Sequence, residues 1–191
     1  MNGKDRIVLA SASPRRRELL SLMGVPFIIA SADVDEHLSG EPQDVVMQLA
    51  ERKALAVAKQ YPDDDILAAD TLVHCSGETL GKPADAKDAE RMLRMLSGNT
   101  HSVYTGVCLL NRAKGLMDIR YTETSVRFVE LSDQEIRRYI STGEPLDKAG
   151  AYGIQGMAGM FVSEISGSSS NVIGLPMHLV REMLISAGWQ L

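Results

Sequence analysis

The 191-residue sequence predicts an α/β or α+β sheet domain, because short apolar runs alternate along it with amphipathic helical segments. Two apolar runs, Ile7-Val8-Leu9-Ala10 and Ile66-Leu67-Ala68-Ala69, have the length and content of buried strands. Between them, helix punctuation is dense: Pro and Ser before periodic segments, Gly after them. From about His101 to Leu131 the pattern turns β-rich.

In order along the chain, the first strand leads to Ser13 as a helix N-cap and Pro14 as the first helical residue, with Gly24 closing the helix. A longer helix lies between Glu41 and Tyr61, stopped by Pro62 and the run Asp63-Asp64-Asp65. The second strand delivers Asp70 and Thr71 at its end, although Leu72 and Val73 are apolar enough to extend it. After Gly81-Lys82-Pro83 comes a helix with Ala89, Met92, Leu93 and Leu96 on one face and Gly98 just past its end. Val103 to Leu110 and Met117 to Val129 read as two strands joined by a turn around Asn111 to Gly115. Ser132-Asp133-Gln134-Glu135 is a capping box opening a short helix that stops near Gly143. Glu144 to Gly159 is glycine-rich and aperiodic, the mark of a functional loop. A strand from Met160 to Ile165 and a helix from Pro176 to Ala187, ended by Gly188, complete the pattern. The length suits one domain over residues 1–191, or two intimate lobes, rather than two independent units.

Composition narrows the function. Twenty Lys and Arg against 25 Asp and Glu leave a net charge of -5, which argues against general nucleic-acid binding. No apolar run approaches the roughly 18 residues of a membrane span, and the charged start Met1-Asn2-Gly3-Lys4-Asp5-Arg6 does not lead into a signal peptide. No membrane partner and a cytoplasmic location are expected. Cys75 and Cys108 lack metal-ligand spacing and read as reduced core thiols. The histidines form no ligand pattern, and no Ser-His-Asp order is arguable.

Three features break their local rules. Arg15-Arg16-Arg17 places cations at the positive end of a helix dipole, which costs about 0.3–1 kcal/mol each at exposed sites. An arriving polyphosphate would reverse that penalty, because it meets backbone amides, dipole and guanidinium groups together; otherwise the arginines point to solvent or pair with acids. Arg15 is the better placed to face an anion. The segment lacks the glycines and Lys of a P-loop. Lys53 falls within the helical stripe of Val46, Leu49, Ala50 and Val57, so it must snorkel or find an anion. Asp70 interrupts a buried-looking strand, where a carboxylate caps a turn, binds Mg²⁺ or activates a water. Asp35-Glu36 offers further oxygen ligands, and Lys82 stands on a rigid loop between Gly81 and Pro83. Gln155, with Glu144, Asp147 and Lys148 in the glycine-rich stretch, offers both a donor and an acceptor for reading a base edge.

At these residues the sequence resembles the Maf family of nucleoside triphosphate pyrophosphatases. The matching segments are Leu9-Ala10-Ser11-Ala12-Ser13-Pro14-Arg15-Arg16, Val34-Asp35-Glu36, the Lys53 helix, Ala69-Asp70-Thr71, Gly81-Lys82-Pro83 and Met95-Leu96-Ser97-Gly98. They continue through residues 144–156 and Asn171-Val172-Ile173-Gly174-Leu175-Pro176. The resemblance implies an α/β fold similar to inosine triphosphatase, with an elongated mixed β-sheet flanked by helices and two lobes around a central cleft. It implies hydrolysis between the α- and β-phosphates of a nucleoside triphosphate, giving the monophosphate and pyrophosphate, with a divalent metal cation, Mg²⁺ or Mn²⁺. Asp70 matches the family's proton acceptor. Arg15, Thr71 and Gln155 match its specificity positions, Ser11, Lys53 and Lys82 other substrate-binding positions, and Glu36 with Asp70 its metal position. Asp147-Lys148-Ala149-Gly150-Ala151-Tyr152 with Gln155 is similar to the branch acting on dTTP and UTP, whose members are linked to clearing modified nucleotides and to restraint of cell division. At position 169 Ser stands where the family often has an aromatic residue.

The expected partner is therefore a nucleoside triphosphate, with a homodimer left open. A non-catalytic nucleotide-binding regulator and a sugar-nucleotide or phosphate transferase remain as alternatives. A sensor has no need of a water-activating carboxylate beside a cation cluster, and a transferase would leave a transferred group among its products.

Overall fold

The computed structural model describes residues 6–31, 33–111 and 114–191. The charged start before Arg6 and the centre of the turn at residues 112–113 lie outside them. Seven strands form one mixed sheet: β1 (Ile7–Leu9), β2 (Phe27–Ile29), β3 (Asp65–Cys75), β4 (Glu78–Leu80), β5 (Thr100–Asn111), β6 (Leu116–Phe128) and β7 (Val162–Ser166). Their order is β2-β1-β3-β5-β6-β7, with β4 pairing β3. β1 runs parallel to both β2 and β3, whereas β4 on β3 and β7 on β6 are antiparallel. Among the described residues six α-helices accompany the sheet: α1 (Pro14–Leu22), α2 (Pro42–Ala58), α3 (Ala86–Leu96), α4 (Asp133–Ser141), α5 (Ser169–Ile173) and α6 (Met177–Ser186).

The chain folds as two compact units drawn from interleaved segments. The first gathers residues up to Asp70, Thr105–Thr122 and Gly174–Leu191. Its central runs, Ile7–Leu9 and residues 66–69, are apolar without interruption because both faces are buried: Val8, Ile66, Ala68, Cys108 and Leu110 pack with Ala50, Ala54 and Val57 of α2, while Ile7, Leu9 and Leu67 are equally buried on the opposite face. Gly106 lets β5 approach α2, since a Cβ there would fall 2.3 Å from the Val46 carbonyl oxygen. At the foot of β3 the buried Asp65 carboxylate accepts hydrogen bonds from Trp189 Nε1 at 2.9 Å and Asn111 Nδ2 at 3.3 Å.

The second unit comprises Thr71–Tyr104 and Glu123–Ile173. The apolar face of α3, Ala89, Met92, Leu93 and Leu96, buries with Ile136 and Tyr139 of α4 and with Phe128, Tyr152 and Phe161. Phe128 meets both His101 and Tyr152 edge to face, at centroid separations of 5.1 and 4.8 Å. The capping box forms as expected: Ser132 Oγ accepts from the Glu135 amide and Glu135 Oε2 accepts from the Ser132 amide.

Four expectations need correction. Ser13 occupies the N-cap backbone position of α1, but its side chain makes no capping bond; its own amide donates to Ser11 Oγ at 3.2 Å instead. Asp70 lies inside an eleven-residue strand rather than at its end, because β3 continues through Leu72 and Val73. The glycine-rich stretch is ordered into three short 3-10 helices, Glu144–Asp147, Ala149–Ala151 and Met157–Phe161. The last of these takes up Met160, so β7 begins only at Val162.

Candidate active site

The site in the first unit is assembled by period and stripe. Alternation along β3 puts Asp70 on the same side as Ile66 and Ala68, the side that packs against α2. On α2, Lys53 lies between Ala50 and Val57 on the buried stripe. The two charges therefore meet: Lys53 Nζ lies 2.5 Å from Asp70 Oδ1. The same ammonium lies 2.7 Å from Glu36 Oε1, so two carboxylates share one cation. Asp70 is 7% exposed, and the Lys53 side chain 14%. Lys53 thus reaches an anion instead of snorkelling out. Charges desolvated to this degree are tolerated only when paired.

Glu36, not Asp35, is the acid that enters the cluster. The Asp35 carboxylate turns back on its own segment, accepting from the His37 amide and meeting the His37 ring, both at 3.0 Å. Those contacts, the amide foremost, hold the Asp35 carboxyl below its ordinary range. Its carbonyl accepts from Arg52 Nη1 at 3.1 Å, which ties the segment to α2 one residue before Lys53.

The start of α1 supplies the cations. Buried Ser11 follows β1, and its Oγ accepts from the Ser13 amide and from Arg16 Nη1 at 3.4 Å. Arg16 Nε also donates to the Gly174 carbonyl at 2.8 Å. Burial lowers the Arg16 pKa; the Asp70 and Glu36 carboxylates oppose that fall, and the neighbouring Arg15 adds to it. Arg15 is half-buried and Arg17 exposed. With no acidic residue in the first turn of α1, the helix start, Arg15, Arg16 and Lys53 make a cationic region around two carboxylates.

Sequence reasoning missed the part played by Arg16. A run of three arginines does not show which one folds inward, and its acceptor, the Gly174 carbonyl, is 158 residues away and carries no side-chain signal.

Thr71, Lys82 and Gln155 belong to the second unit. Thr71 is half-buried on β3, while Lys82 and Gln155 are exposed. The Lys82 loop is held by the Gly150 amide, which donates to the Gly81 carbonyl at 3.0 Å. Gly150 adopts φ +67 and packs so closely on Val73 that a Cβ would fall 2.8 Å from Val73 Cγ2. The stretch bearing Gln155 is organised by Glu144, which accepts from Tyr139 Oη at 2.9 Å and from the Met157 amide at 3.1 Å. Lys148 Nζ donates to the Glu144 carbonyl and to Asp147 Oδ1, both at 2.6 Å. Glu144 and Lys148 therefore shape the turn that carries Gln155.

No group of three or more His, Cys, Asp or Glu side chains able to hold a metal occurs among the described residues. Glu36 and Asp70 remain a two-carboxylate pair whose oxygens converge on one ammonium. Such a hard oxygen pair fits Mg²⁺ or Mn²⁺ when phosphate oxygens and waters complete the shell.

Comparison with known proteins shows the family. The family model described as Maf-like protein matches residues 6–187. The chain is 49% identical over 187 residues to a dTTP/UTP pyrophosphatase of Symbiobacterium thermophilum, covering 97% of this chain and 95% of that protein. It is 52% identical over 191 residues to a dTTP/UTP pyrophosphatase of Anaeromyxobacter dehalogenans, covering 97% and 96%. Among solved structures, a HAM1 protein from Coxiella burnetii superposes with a TM-score of 0.57 at 16% identity, covering 95% of this chain and 98% of that one, a likeness of fold.

Proposed function

The chain belongs to the Maf family, and on that ground we propose that it hydrolyses dTTP and UTP to the nucleoside monophosphate and pyrophosphate. The observation that carries the chemistry is the Lys53 ammonium shared by Asp70 and Glu36 beside the cationic start of α1. A carboxylate held in place by an ammonium is a positioned proton acceptor.

In this reading Lys53 fixes Asp70 through Oδ1, and the carboxylate takes the proton of the water that attacks the α-phosphorus. Arg15 and Lys53 offset charge that develops on the departing pyrophosphate, as preorganised cations do in a water-poor site. Arg16 sets the geometry by bridging Ser11 and the Gly174 carbonyl. Glu36 and Asp70 are the residues to hold Mg²⁺ or Mn²⁺, together with substrate oxygens. When bound, such a cation supplies charge stabilisation to the phosphate oxygens. Thr71, Lys82 and Gln155 are assigned to substrate recognition, Gln155 as the amide that reads the base.

Pyrophosphate release measured across dTTP, UTP, CTP, GTP and ATP, with Mg²⁺, with Mn²⁺ and with chelator, tests the reading. Release from dTTP and UTP above the others, abolished by chelator, is expected. No release from any nucleotide overturns the enzymatic reading in favour of a nucleotide sensor, and unaffected release in chelator removes the metal.

A further inference from the structure

Among the described residues, one long stretch of β6 has a strand on one side only. β7 pairs with β6 only from Ser125 to Phe128, so residues 116–122 of β6 have no strand on that side among the described residues. The other terminal strands are short, three residues in β2 and five in β7. The uncovered stretch carries exposed apolar side chains, Leu116 at 58%, Met117 at 42% and Tyr121 at 45%. A strand edge without a second strand beside it invites another strand.

Its sequence, Leu116-Met117-Asp118-Ile119-Arg120-Tyr121-Thr122, reads as complementary to itself in reverse. We propose that this edge pairs antiparallel with the same edge of a second copy of the chain, about a two-fold axis at Ile119.

The register follows from faces and charges. A two-fold axis normal to the sheet keeps each face on its own side, so opposed residues must have the same parity along the strand. Centring on Asp118 sets that carboxylate against its own copy, and centring on Arg120 sets guanidinium against guanidinium; both are disfavoured. Centring on Ile119 sets Asp118 opposite Arg120 of the second copy, and Arg120 opposite Asp118. It also sets Met117 opposite Tyr121, a thioether against an aromatic ring, twice by symmetry. Ile119, half-buried against the α2-facing core, lies at the centre. On the other face Arg120 already lies 2.7 Å from Asp118 of its own strand and 3.8 Å from Glu182 of α6. The guanidinium is therefore held among acids before a second strand arrives. Isologous pairing of this kind closes on itself and so ends at a dimer.

Sedimentation equilibrium on the full chain tests the pairing through charge reversal. Wild type is expected to sediment as a dimer. Arg120→Asp and Asp118→Arg, which each place like charges opposite one another, are expected to be monomeric with unchanged circular dichroism. An equimolar mixture of the two single variants restores complementarity only between chains, and is expected to regain the dimer mass. Wild type with the mass of one chain at every concentration overturns the proposal. So does a dimer that survives both single reversals, or a mixture that stays monomeric. Pyrophosphate release by the monomeric variants is a separate readout, so failure of this interface and failure of the enzymatic reading are distinguishable.

Discussion

The Glu144 carboxylate occupies the space that any side chain at Gly156 would need: a Cβ there would lie 2.1 Å from Glu144 Oε1. Glu144 cannot swing aside without releasing Tyr139 Oη and the Met157 amide. Gly156→Ala is therefore expected to lower stability by about 1–3 kcal/mol, the usual range for overpacking. It should also raise KM for nucleotide more than it lowers kcat, because Gln155 is the adjacent residue. Thermal unfolding with steady-state kinetics checks both.

Gly106 is the harsher case. A Cβ there would meet backbone, at 2.3 Å from the Val46 carbonyl oxygen and 2.7 Å from the Met47 nitrogen, and backbone inside a helix cannot rotate away. Gly106→Ala is expected to cost at least as much, about 3 kcal/mol. Displacing α2 also shifts Lys53 from Asp70, so activity should fall even where the variant remains folded; chemical denaturation and pyrophosphate release measure the two effects.

Asp70→Asn removes the proposed proton acceptor while keeping shape. Turnover is expected to drop by roughly 10²–10⁴-fold, the typical contribution of general base catalysis, with nucleotide affinity within a few-fold of wild type. Near-normal turnover would falsify the assignment. Lys53→Met tests the other half: it leaves a buried carboxylate without its ammonium, and a loss of about 3–5 kcal/mol is expected in denaturant titration.

His101 makes the fold acid-sensitive. Its Nε2 lies 2.8 Å from Tyr152 Oη, and burial pushes its pKa down to about 4 from the ordinary 6.5. The folded state thus holds the ring neutral while the unfolded chain protonates it. Stability is complete above pH 6.5 and is lost as pH falls toward 4, by roughly 3 kcal/mol for this group alone. Urea midpoints measured between those pH values should decline for wild type and decline less for His101→Gln.

Cys108 is expected to resist alkylation. It is buried as a free thiol, and burial, reinforced by Glu51 and Asp118, pushes its pKa up to about 12. Thiolate is the reactive form, so labelling of native protein at pH 8 should be far slower than in denaturant, as counted by mass spectrometry.

Much of this was legible from residue order where the signal is local. Pro14, Glu41, Ser132 and Gly98 mark helix ends that the structure places within a residue or two of expectation. Cys75 and Cys108 are the buried, free thiols their spacing implied. Lys53 was visible as a charge in an apolar stripe, but not its partners: Glu36 and Asp70 lie 17 residues to either side, and only the packing of β3 on α2 brings them together. Asp70 looked like a strand end because an unpaired carboxylate does not belong inside a sheet; the ammonium across the layer is what permits it. β2 and β4 span three residues each, too few for alternation to show. The 3-10 turns of residues 144–161 rest on Glu144 and Lys148 bonding to backbone, which no periodicity reveals.

The interleaved make-up of the two units has a consequence for synthesis on the ribosome. All of the second unit's segments precede residue 174, so its aromatic cluster of Phe128, Tyr139, Tyr152 and Phe161 is synthesised before the last segment of the first unit. The first unit needs residues 174–191, among them Trp189, whose indole satisfies the Asp65 carboxylate at the foot of β3. A unit begun first is thus completed last.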